Sequence, residues 1–303
     1  MSKPIETVLI LGAGASQPYG FPLGVGLRDL ICDGLSKIAL PHVLAEMGFG
    51  TRILPEFSSA LPHSGYSSVD AFLEAQPRFM EIGKAAIAIG LLPFERPKHL
   101  FPPHAPSGNH WYEALFNLLD VGSRNAASQR TAIVTFNYDR SLEHYLFTVL
   151  RTRKGLTEKS AADRLKRVRI IHLHGQLGDY PGLGPNSVPY GHLEASIETL
   201  KEAASRIRVV SEVSDLAGFR EAGELLSYAR RAYFLGFGFA PISLDRLRSQ
   251  MRSHPDIING TSKAIPDRVW RAVKQQFFPS AWPRRRFRGS LVSFLRGEAV
   301  FGS

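Results

Sequence analysis

Apolar and polar positions along the chain form a repeating pattern of short apolar runs followed by helical periodicity. Runs of four to six mostly apolar residues lie at 7–11, 131–136, 168–173, 207–210 and 232–235. Amphipathic stretches, with apolar residues spaced three and four apart, lie between these runs. Strands that alternate with helices in this way indicate a parallel sheet covered on both faces. The pattern predicts an α/β fold with a doubly wound, Rossmann-like parallel sheet.

A different pattern occupies the chain between the first two of these strands. Helical periodicity appears there in pieces, at 69–73 and 111–119, separated by the loop compositions P-F-E-R-P and F-P-P-H-A-P-S-G. We therefore expect an inserted, mostly helical subdomain. The predicted units are a nucleotide-binding α/β core at 1–39 and 126–260, the helical insertion at 40–125, and a C-terminal helix with a basic tail at 261–303.

Unusual polar or glycine-rich clusters follow four of the predicted strands. They are G-A-G-A-S at 12–16, F-N-Y-D at 136–139, H-L-H-G at 172–175 and G-F-G-F at 236–239. In open parallel sheets, ligands bind outside the carboxyl ends of the strands. The clusters therefore predict one composite binding site at that edge.

The first cluster has the composition of a phosphate-binding turn. Gly12, Gly14 and Ser16 follow a buried strand, and glycine allows the backbone N–H groups to approach a phosphate closely. A tight structural turn is the alternative. The dehydrogenase fingerprint G-x-G-x-x-G is incomplete, because its third glycine position holds Gln17.

Two further clusters carry side chains suited to chemistry. The carboxamide of Asn137 can orient a ribose hydroxyl or a water, or it can close an Asx turn at the strand end. A histidine that titrates near neutral pH can act as a general base. Both His172 and His174 are candidates from the sequence.

Four blocks of the sequence, in order, resemble the sirtuin family. Residues 12–16, three further residues and then Gly20-Phe21-Pro22 resemble the sirtuin loop G-A-G-x-S, three residues, G-I-P. Residues 135–139 resemble T-Q-N-x-D, and His174-Gly175 resembles the catalytic histidine-glycine pair. Residues 236–238 lie where the family has G-T-S after a strand.

The resemblance implies a role for each matching residue. Asn137 and His174 are expected to be catalytic, with His174 preferred over His172 because Gly175 follows it. Asp139 is expected to accept a hydrogen bond from the nicotinamide amide, or otherwise to cap the following helix. The residues expected to bind NAD are Gly12, Ala13, Gly14, Ser16, Gly20, Phe21, Pro22, Asp139, Gly236 and Gly238.

The chain also departs from sirtuin deacylases. Leu23-Gly24-Val25 replaces their D-F-R, and Cys32 is the only cysteine, so the four-cysteine zinc module cannot form. We therefore expect neither zinc nor another metal. The pattern is more similar to zinc-free bacterial sirtuin-like domains, which are associated with NAD hydrolysis in anti-phage defence beside a HerA-type ATPase or an Argonaute-like protein. This resemblance implies an NAD-cleaving enzyme; the alternative is a sensor of NAD or ADP-ribose that regulates a partner ATPase or nuclease.

Charge adds one more expectation. The net charge is +10, and part of it is concentrated at Arg284, Arg285, Arg286 and Arg288. Such a run fits contact with nucleic acid or an acidic partner, and it equally fits a solvated tail. No apolar run approaches the roughly 18 residues of a membrane span. A cytoplasmic protein without membrane contact, assembled as a homo-oligomer, is expected.

Overall fold

The computed structural model describes the chain in nine segments, namely residues 4–102, 110–119, 121, 127–185, 187–191, 195–209, 217–263, 265–277 and 287–299. The strands are β1 (Thr7–Leu11), β2 (Thr131–Thr135), β3 (Arg169–His172), β4 (Arg231–Leu235) and β5 (Ile257–Gly260). The α-helices are α1 (Ala13–Ser16), α2 (Gly24–Leu35), α3 (Ala39–Glu46), α4 (Ile53–His63), α5 (Val69–Ala75), α6 (Met80–Leu91), α7 (Pro97–Leu100), α8 (Trp111–Leu119), α9 (Ser141–Thr152), α10 (Glu158–Leu165), α11 (Ile197–Arg206), α12 (Ala217–Tyr228), α13 (Pro241–Ser249), α14 (Asp267–Phe277) and α15 (Leu291–Gly297). Short 3-10 helices lie at Gln17–Tyr19, Pro77–Phe79, Leu92–Phe94 and Ala127–Arg130.

The five strands form one parallel sheet in the order β3-β2-β1-β4-β5. The central strand is β1, in which Thr7 pairs with Thr131 of β2 on one side and with Arg231 of β4 on the other. This is the strand order of a doubly wound, dinucleotide-binding sheet. The predicted Rossmann-like α/β fold is confirmed, and the carboxyl ends of β1, β2 and β4 meet at one edge.

Alternate residues of the central strands face two separate apolar cores. On one face, Leu9 and Ile133 pack with helices that include α2, α6, α8 and α9. On the other face, Val8, Val134 and Phe234 pack with α12, α13 and α14. Every residue of β1, β2 and β4 is buried. Burial on both faces explains why these strands are short, nearly continuous apolar runs in the sequence.

Helices α3 to α8 lie between β1 and β2 and pack into the same apolar core as Leu9. The rings of Phe57, Phe72 and Phe79 pack together within this layer, with centroids 5.5–6.1 Å apart. Trp111 of α8 donates its Nε1–H to the carbonyl of Ala15 at 2.7 Å, which joins the layer to the loop after β1. The boundaries of the three predicted units stay a prediction. None of the helices in the described segments is long and apolar enough to cross a bilayer.

One strand of the prediction is wrong. Residues 207–210 do not join the sheet as far as they are described: Ile207 forms a single antiparallel bridge with Gly175. The next residue, Arg208, donates its N–H to the carbonyl of His174 at 2.7 Å. The segment therefore runs across the loop that follows β3. The side chains of Ile207 and Val209 are buried there. A short apolar run in the sequence does not distinguish a strand of the sheet from a buried segment that crosses a loop.

The fifth strand, in contrast, has little apolar pattern. β5 reads I-I-N-G, and only alternate residues of it are buried, as on an edge strand. Ile258 packs into the second core, whereas Ile257 is exposed. A four-residue strand with one buried side chain gives too short a signal to be recognised in the sequence.

The basic run near the C-terminus is only partly described. Arg284, Arg285 and Arg286 lie outside the described residues. Arg288 is exposed and donates to Asp267 of α14 at 2.5 Å. Contact of this run with nucleic acid or an acidic partner stays a prediction.

A buried ion pair joins the helical layer to the chain after β2. Arg140 and Glu95 are fully buried, and the guanidinium contacts both carboxylate oxygens. The Arg140 guanidinium also donates to the carbonyl oxygens of Asp179 and Val188. The pair fixes the chain immediately beyond Asp139, because Glu95 accepts from the backbone N–H of Arg140 as well.

Candidate functional site

A cavity of about 330 Å³ opens at the carboxyl ends of β1, β2 and β4. Its lining is mostly apolar, and polar groups reach it from several separate segments of the chain. This combination is typical of a small-molecule site. Nine of the residues predicted from the sequence line it, namely Gly12, Ala13, Ser16, Phe21, Pro22, Asn137, Asp139, His174 and Gly238.

Gly14 and Gly236, in contrast, contact each other and not the cavity. The N–H of Gly14 donates to the carbonyl of Gly236 at 2.9 Å, and Gly12 donates to Leu235 at 3.1 Å. These N–H groups join the loop after β1 to the loop after β4. The close approach of the two backbones explains why both positions are glycine. The predicted contacts of Gly14 with a phosphate and of Gly236 with NAD stay predictions.

The Gly14–Gly236 contact supplies a stability prediction. Gly236 has φ +59°, and a Cβ there would lie 2.1 Å from the nitrogen of Ala15. Gly236→Ala should therefore destabilise the protein by about 2–4 kcal/mol, measured by urea denaturation. Gly238→Ala is the matched control, because a Cβ at Gly238 has no atom within 4 Å and should change stability by less than about 0.5 kcal/mol. Equal losses for the two variants would contradict this explanation.

Gly20 also lies off the cavity lining. It ends the 3-10 helix Gln17–Tyr19 in the left-handed region, with φ +91°, and a Cβ would meet the ring of His99 at 2.9 Å. The turn places Phe21 and Pro22 on the cavity wall. Gly20 therefore shapes the loop, and its direct contact with NAD stays a prediction.

Asn137 joins the end of β2 to the loop after β1. Its Nδ2 donates to the carbonyl of Gly12 at 3.1 Å and to Oγ of Ser16 at 3.0 Å. Its backbone N–H donates to Oγ1 of Thr135 at 3.0 Å. Since the amide nitrogen faces the loop, Oδ1 is the end of the carboxamide that faces away from it. The side chain is half-buried at the cavity wall.

Asp139 is buried beside the start of α9. Its carboxylate accepts from both the N–H and the hydroxyl of Ser141. Burial raises the pKa of Asp139, and the hydrogen bonds from Ser141 and Ser16 oppose that rise. The contacts with Ser141 fit the helix-capping alternative, while the position on the cavity wall also fits contact with a ligand.

His174 lies past the end of β3 in a ring of aromatic side chains. The centroids of Phe136, Tyr138 and Phe219 lie 5.3, 6.0 and 6.1 Å from its own. Its Nε2 is buried and has no hydrogen-bond partner among the described residues. Burial lowers the pKa of His174, with Asp70 opposing the shift. The imidazole is therefore neutral at pH 7, and His174 lines the cavity with one ring nitrogen that has no partner among the described residues.

The other candidate histidine, His172, faces a different environment. It does not line the cavity, and both its ring nitrogens are occupied, by the carbonyl of Asn137 and by the carboxylate of Glu143. β3 ends at His172 and a turn follows, so the side chains of His172 and His174 enter different surroundings. Of these two histidines, only His174 has a ring nitrogen without a partner among the described residues.

The sequence did not indicate an acidic side of the cavity. Asp70 and Glu74, one turn apart on α5, both line it, and Asp70 accepts a hydrogen bond from the hydroxyl of Tyr138. Burial raises the pKa of Glu74, and Arg246 opposes the shift. The sequence pattern singled out Tyr138 within the F-N-Y-D cluster, but its partner Asp70 lies 68 residues earlier, so no local spacing pointed to the acidic group.

No group of three or more metal-ligating side chains lies close together within the described segments. This finding includes Cys32, which is a free cysteine. The expected absence of zinc stays a prediction.

Neither a protein-family model nor a curated protein matches this sequence. Solved structures of Sir2 proteins do. A Sir2 homolog in complex with NAD is 13% identical, with TM-score 0.42, and the match covers 97% of this chain and 91% of that one. Sir2Tm bound to a propionylated peptide is 16% identical, with TM-score 0.40 and coverage of 96% and 90%. Sir2 with a p53 peptide and NAD+ is 17% identical, with TM-score 0.38 and the same coverage. At these scores the likeness describes the fold only.

Proposed function

We propose that this protein is an NAD+ glycohydrolase, which cleaves the bond between nicotinamide and ribose and releases nicotinamide and ADP-ribose. The observation that carries the proposal is the meeting of Asn137 and His174 at one mostly apolar cavity. The buried Nε2 of His174 has no hydrogen-bond partner among the described residues. The glycine-containing loop that resembles a cofactor loop forms another wall of the same cavity, through Gly12, Ala13 and Ser16.

The reaction suits a site that has a neutral base. When the bond between C1′ and the nicotinamide nitrogen breaks, its electron pair moves onto the pyridinium nitrogen, and nicotinamide leaves as a neutral ring. No acid is then needed for the leaving group. Water adds to the oxocarbenium-like C1′, and its proton passes to Nε2 of His174. Burial keeps this imidazole unprotonated at pH 7, which leaves the nitrogen able to accept that proton.

Polar groups that line the cavity can stabilise the oxocarbenium-like stage, in which C1′ carries positive charge. Oδ1 of Asn137 faces away from the loop and is an acceptor for a ribose hydroxyl or for the attacking water. The carboxylate of Asp70, which also lines the cavity, supplies a negative potential that favours positive charge on the substrate. The aromatic rings of Phe136 and Phe237 reduce the access of bulk water to this region.

A sensor of NAD or ADP-ribose is the second candidate. The hydrogen bonds of Asn137 to Gly12 and Ser16 give this residue a structural role that a site without turnover would also need. The anti-phage setting, a HerA-type ATPase or Argonaute-like partner, and assembly into a homo-oligomer stay predictions from the resemblance.

The direct test is incubation of the purified protein with NAD+, followed by chromatography of the products. The protein is assayed alone and together with the product of a neighbouring gene. We expect nicotinamide and ADP-ribose to appear in equal amounts, and we expect acetylated lysine peptides to remain unchanged. NAD+-dependent removal of acetyl groups from the peptides would contradict the proposal. Binding of NAD+ without any product, with and without the partner, would favour the sensor.

A further inference from the structure

The buried pair of His172 and Glu143 lies behind the candidate site. The Nδ1 of His172 is 2.9 Å from the backbone carbonyl oxygen of Asn137, and its Nε2 is 2.7 Å from Oε1 of Glu143. The two side chains are only 9% and 5% exposed. Neither residue lines the cavity in which Asn137 and His174 meet.

The partners of this ring determine its protonation state. A backbone carbonyl only accepts hydrogen bonds, so Nδ1 of His172 must carry a hydrogen. The carboxylate of Glu143 is also an acceptor, so Nε2 carries one as well, and the ring is an imidazolium. Burial opposes this charge, but the Glu143 carboxylate and the Asn137 carbonyl outweigh it and raise the pKa of His172.

The His172 ring contacts the backbone carbonyl of Asn137, a residue whose backbone N–H and side chain are held by other contacts. The backbone N–H of Asn137 donates to Thr135, and its side chain donates to the loop at Gly12 and Ser16. The contact with His172 fixes the remaining polar group of that backbone, its carbonyl. The orientation of the carboxamide in the cavity therefore depends on a side chain outside the cavity.

We propose that His172 is a positioning residue for Asn137, and that the charged pair of His172 with Glu143 holds the Asn137 peptide in the orientation required for turnover. The catalytic part of this inference rests on the proposed NAD+ cleavage. The geometric part, coupling between the His172 ring and the Asn137 peptide, is independent of any activity.

The charged groups around His172 determine how its contacts with Glu143 and Asn137 respond to pH. Glu143 on α9 contacts the ring, and Asp139 adds a weaker attraction. His172 and Glu143 also line a second cavity of about 420 Å³, together with Lys166, Asp179, Arg206 and Arg208. Arg206 is paired there with Asp179 at 2.8 Å. When His172 loses one proton at alkaline pH, a single ring hydrogen remains for two acceptors. The charged carboxylate of Glu143 is the stronger acceptor, so the hydrogen stays on Nε2 and the contact with the carbonyl of Asn137 is lost.

The variant Glu143→Gln separates positioning from a merely structural role. A glutamine amide can donate to Nε2 of a neutral imidazole, while Nδ1–H still donates to Asn137. Both contacts then survive without a charge. In the parent protein, kcat should fall about tenfold at pH values above the pKa of His172. In Glu143→Gln, kcat should stay constant over the same alkaline range.

The variant His172→Phe keeps an aromatic ring but has no hydrogen-bonding atoms. It should lower kcat roughly 10–100-fold with little change in KM.

Nuclear magnetic resonance provides the readout that does not need turnover. With labelled histidine and asparagine, the backbone and side-chain signals of Asn137 should follow the titration of the His172 ring in the parent protein. In Glu143→Gln they should not follow it. Asn137 signals that stay constant while His172 titrates would overturn the proposal, whether or not the protein cleaves NAD+. In an active protein, an unchanged kcat for His172→Phe with an intact circular-dichroism spectrum would also overturn it.

Discussion

His174→Ala should lower kcat for NAD+ cleavage about a hundredfold or more, and Asn137→Ala should do the same, while both variants stay folded. The buried Nε2 of His174 has no partner among the described residues, so its removal leaves no donor or acceptor unsatisfied there. Loss of a positioned general base or polar group typically has a rate effect of this size. The measurement is nicotinamide release under saturating NAD+, with circular dichroism to confirm folding.

The pH profile supplies a second readout of the same residue. Because burial lowers the pKa of His174 from its ordinary 6.5, kcat should rise as pH increases through that lower value. The acidic limb of the profile should therefore lie below pH 6.5 and disappear in His174→Ala. His144 is the control: it is half-buried, and burial lowers its pKa to about 4, but it lies off the cavity. His144→Ala should reduce thermal stability and leave kcat unchanged; full activity of His174→Ala would contradict the assignment.

Glu95→Ala should destabilise the protein by about 3–5 kcal/mol, because it leaves the Arg140 guanidinium buried without its counter-charge. Both side chains of the pair are fully buried. Urea denaturation, followed by circular dichroism, measures the loss. Two backbone carbonyls would still accept from Arg140, but they do not neutralise its charge.

An exposed pair of the same two residue types is the control for this prediction. Arg153 and Glu113 are 2.6 Å apart and each about half-exposed, so Glu113→Ala should change stability by at most about 1 kcal/mol. In the double variant Glu95→Leu with Arg140→Met, no charge is left buried, and much of the stability should return. A loss below about 1 kcal/mol for Glu95→Ala would show that water reaches Arg140.

The sheet was predictable from the sequence where burial on both faces produces continuous apolar runs. This applies to β1, β2 and β4, which are buried along their whole length. β5 gave no such signal because only one of its isoleucines is buried. Residues 207–209 gave a false one, because apolar side chains also become buried where a loop crosses the edge of the sheet.

The candidate site was predictable to the extent that topology determines it. Parallel strands bring their carboxyl ends to one edge, so the clusters after β1, β2, β3 and β4 meet there. The roles of individual residues were less predictable. Gly14 and Gly236 were both expected to bind NAD, yet they contact each other. Asp70 reaches the cavity from the helical layer, and no local spacing connects it with Tyr138.

The central position of β1 has a consequence for biosynthesis. Its two neighbours, β2 and β4, begin about 120 and 220 residues after it in the chain. At a translation rate of about 5–20 residues per second, β1 leaves the ribosome roughly 6–25 s before its first partner has been made. Its apolar side chains and the unpaired N–H and C=O groups of its backbone are open throughout that time, which is a known hazard for aggregation. The innermost strand is thus translated first and paired late, and a nascent-chain chaperone would have its greatest effect on this segment.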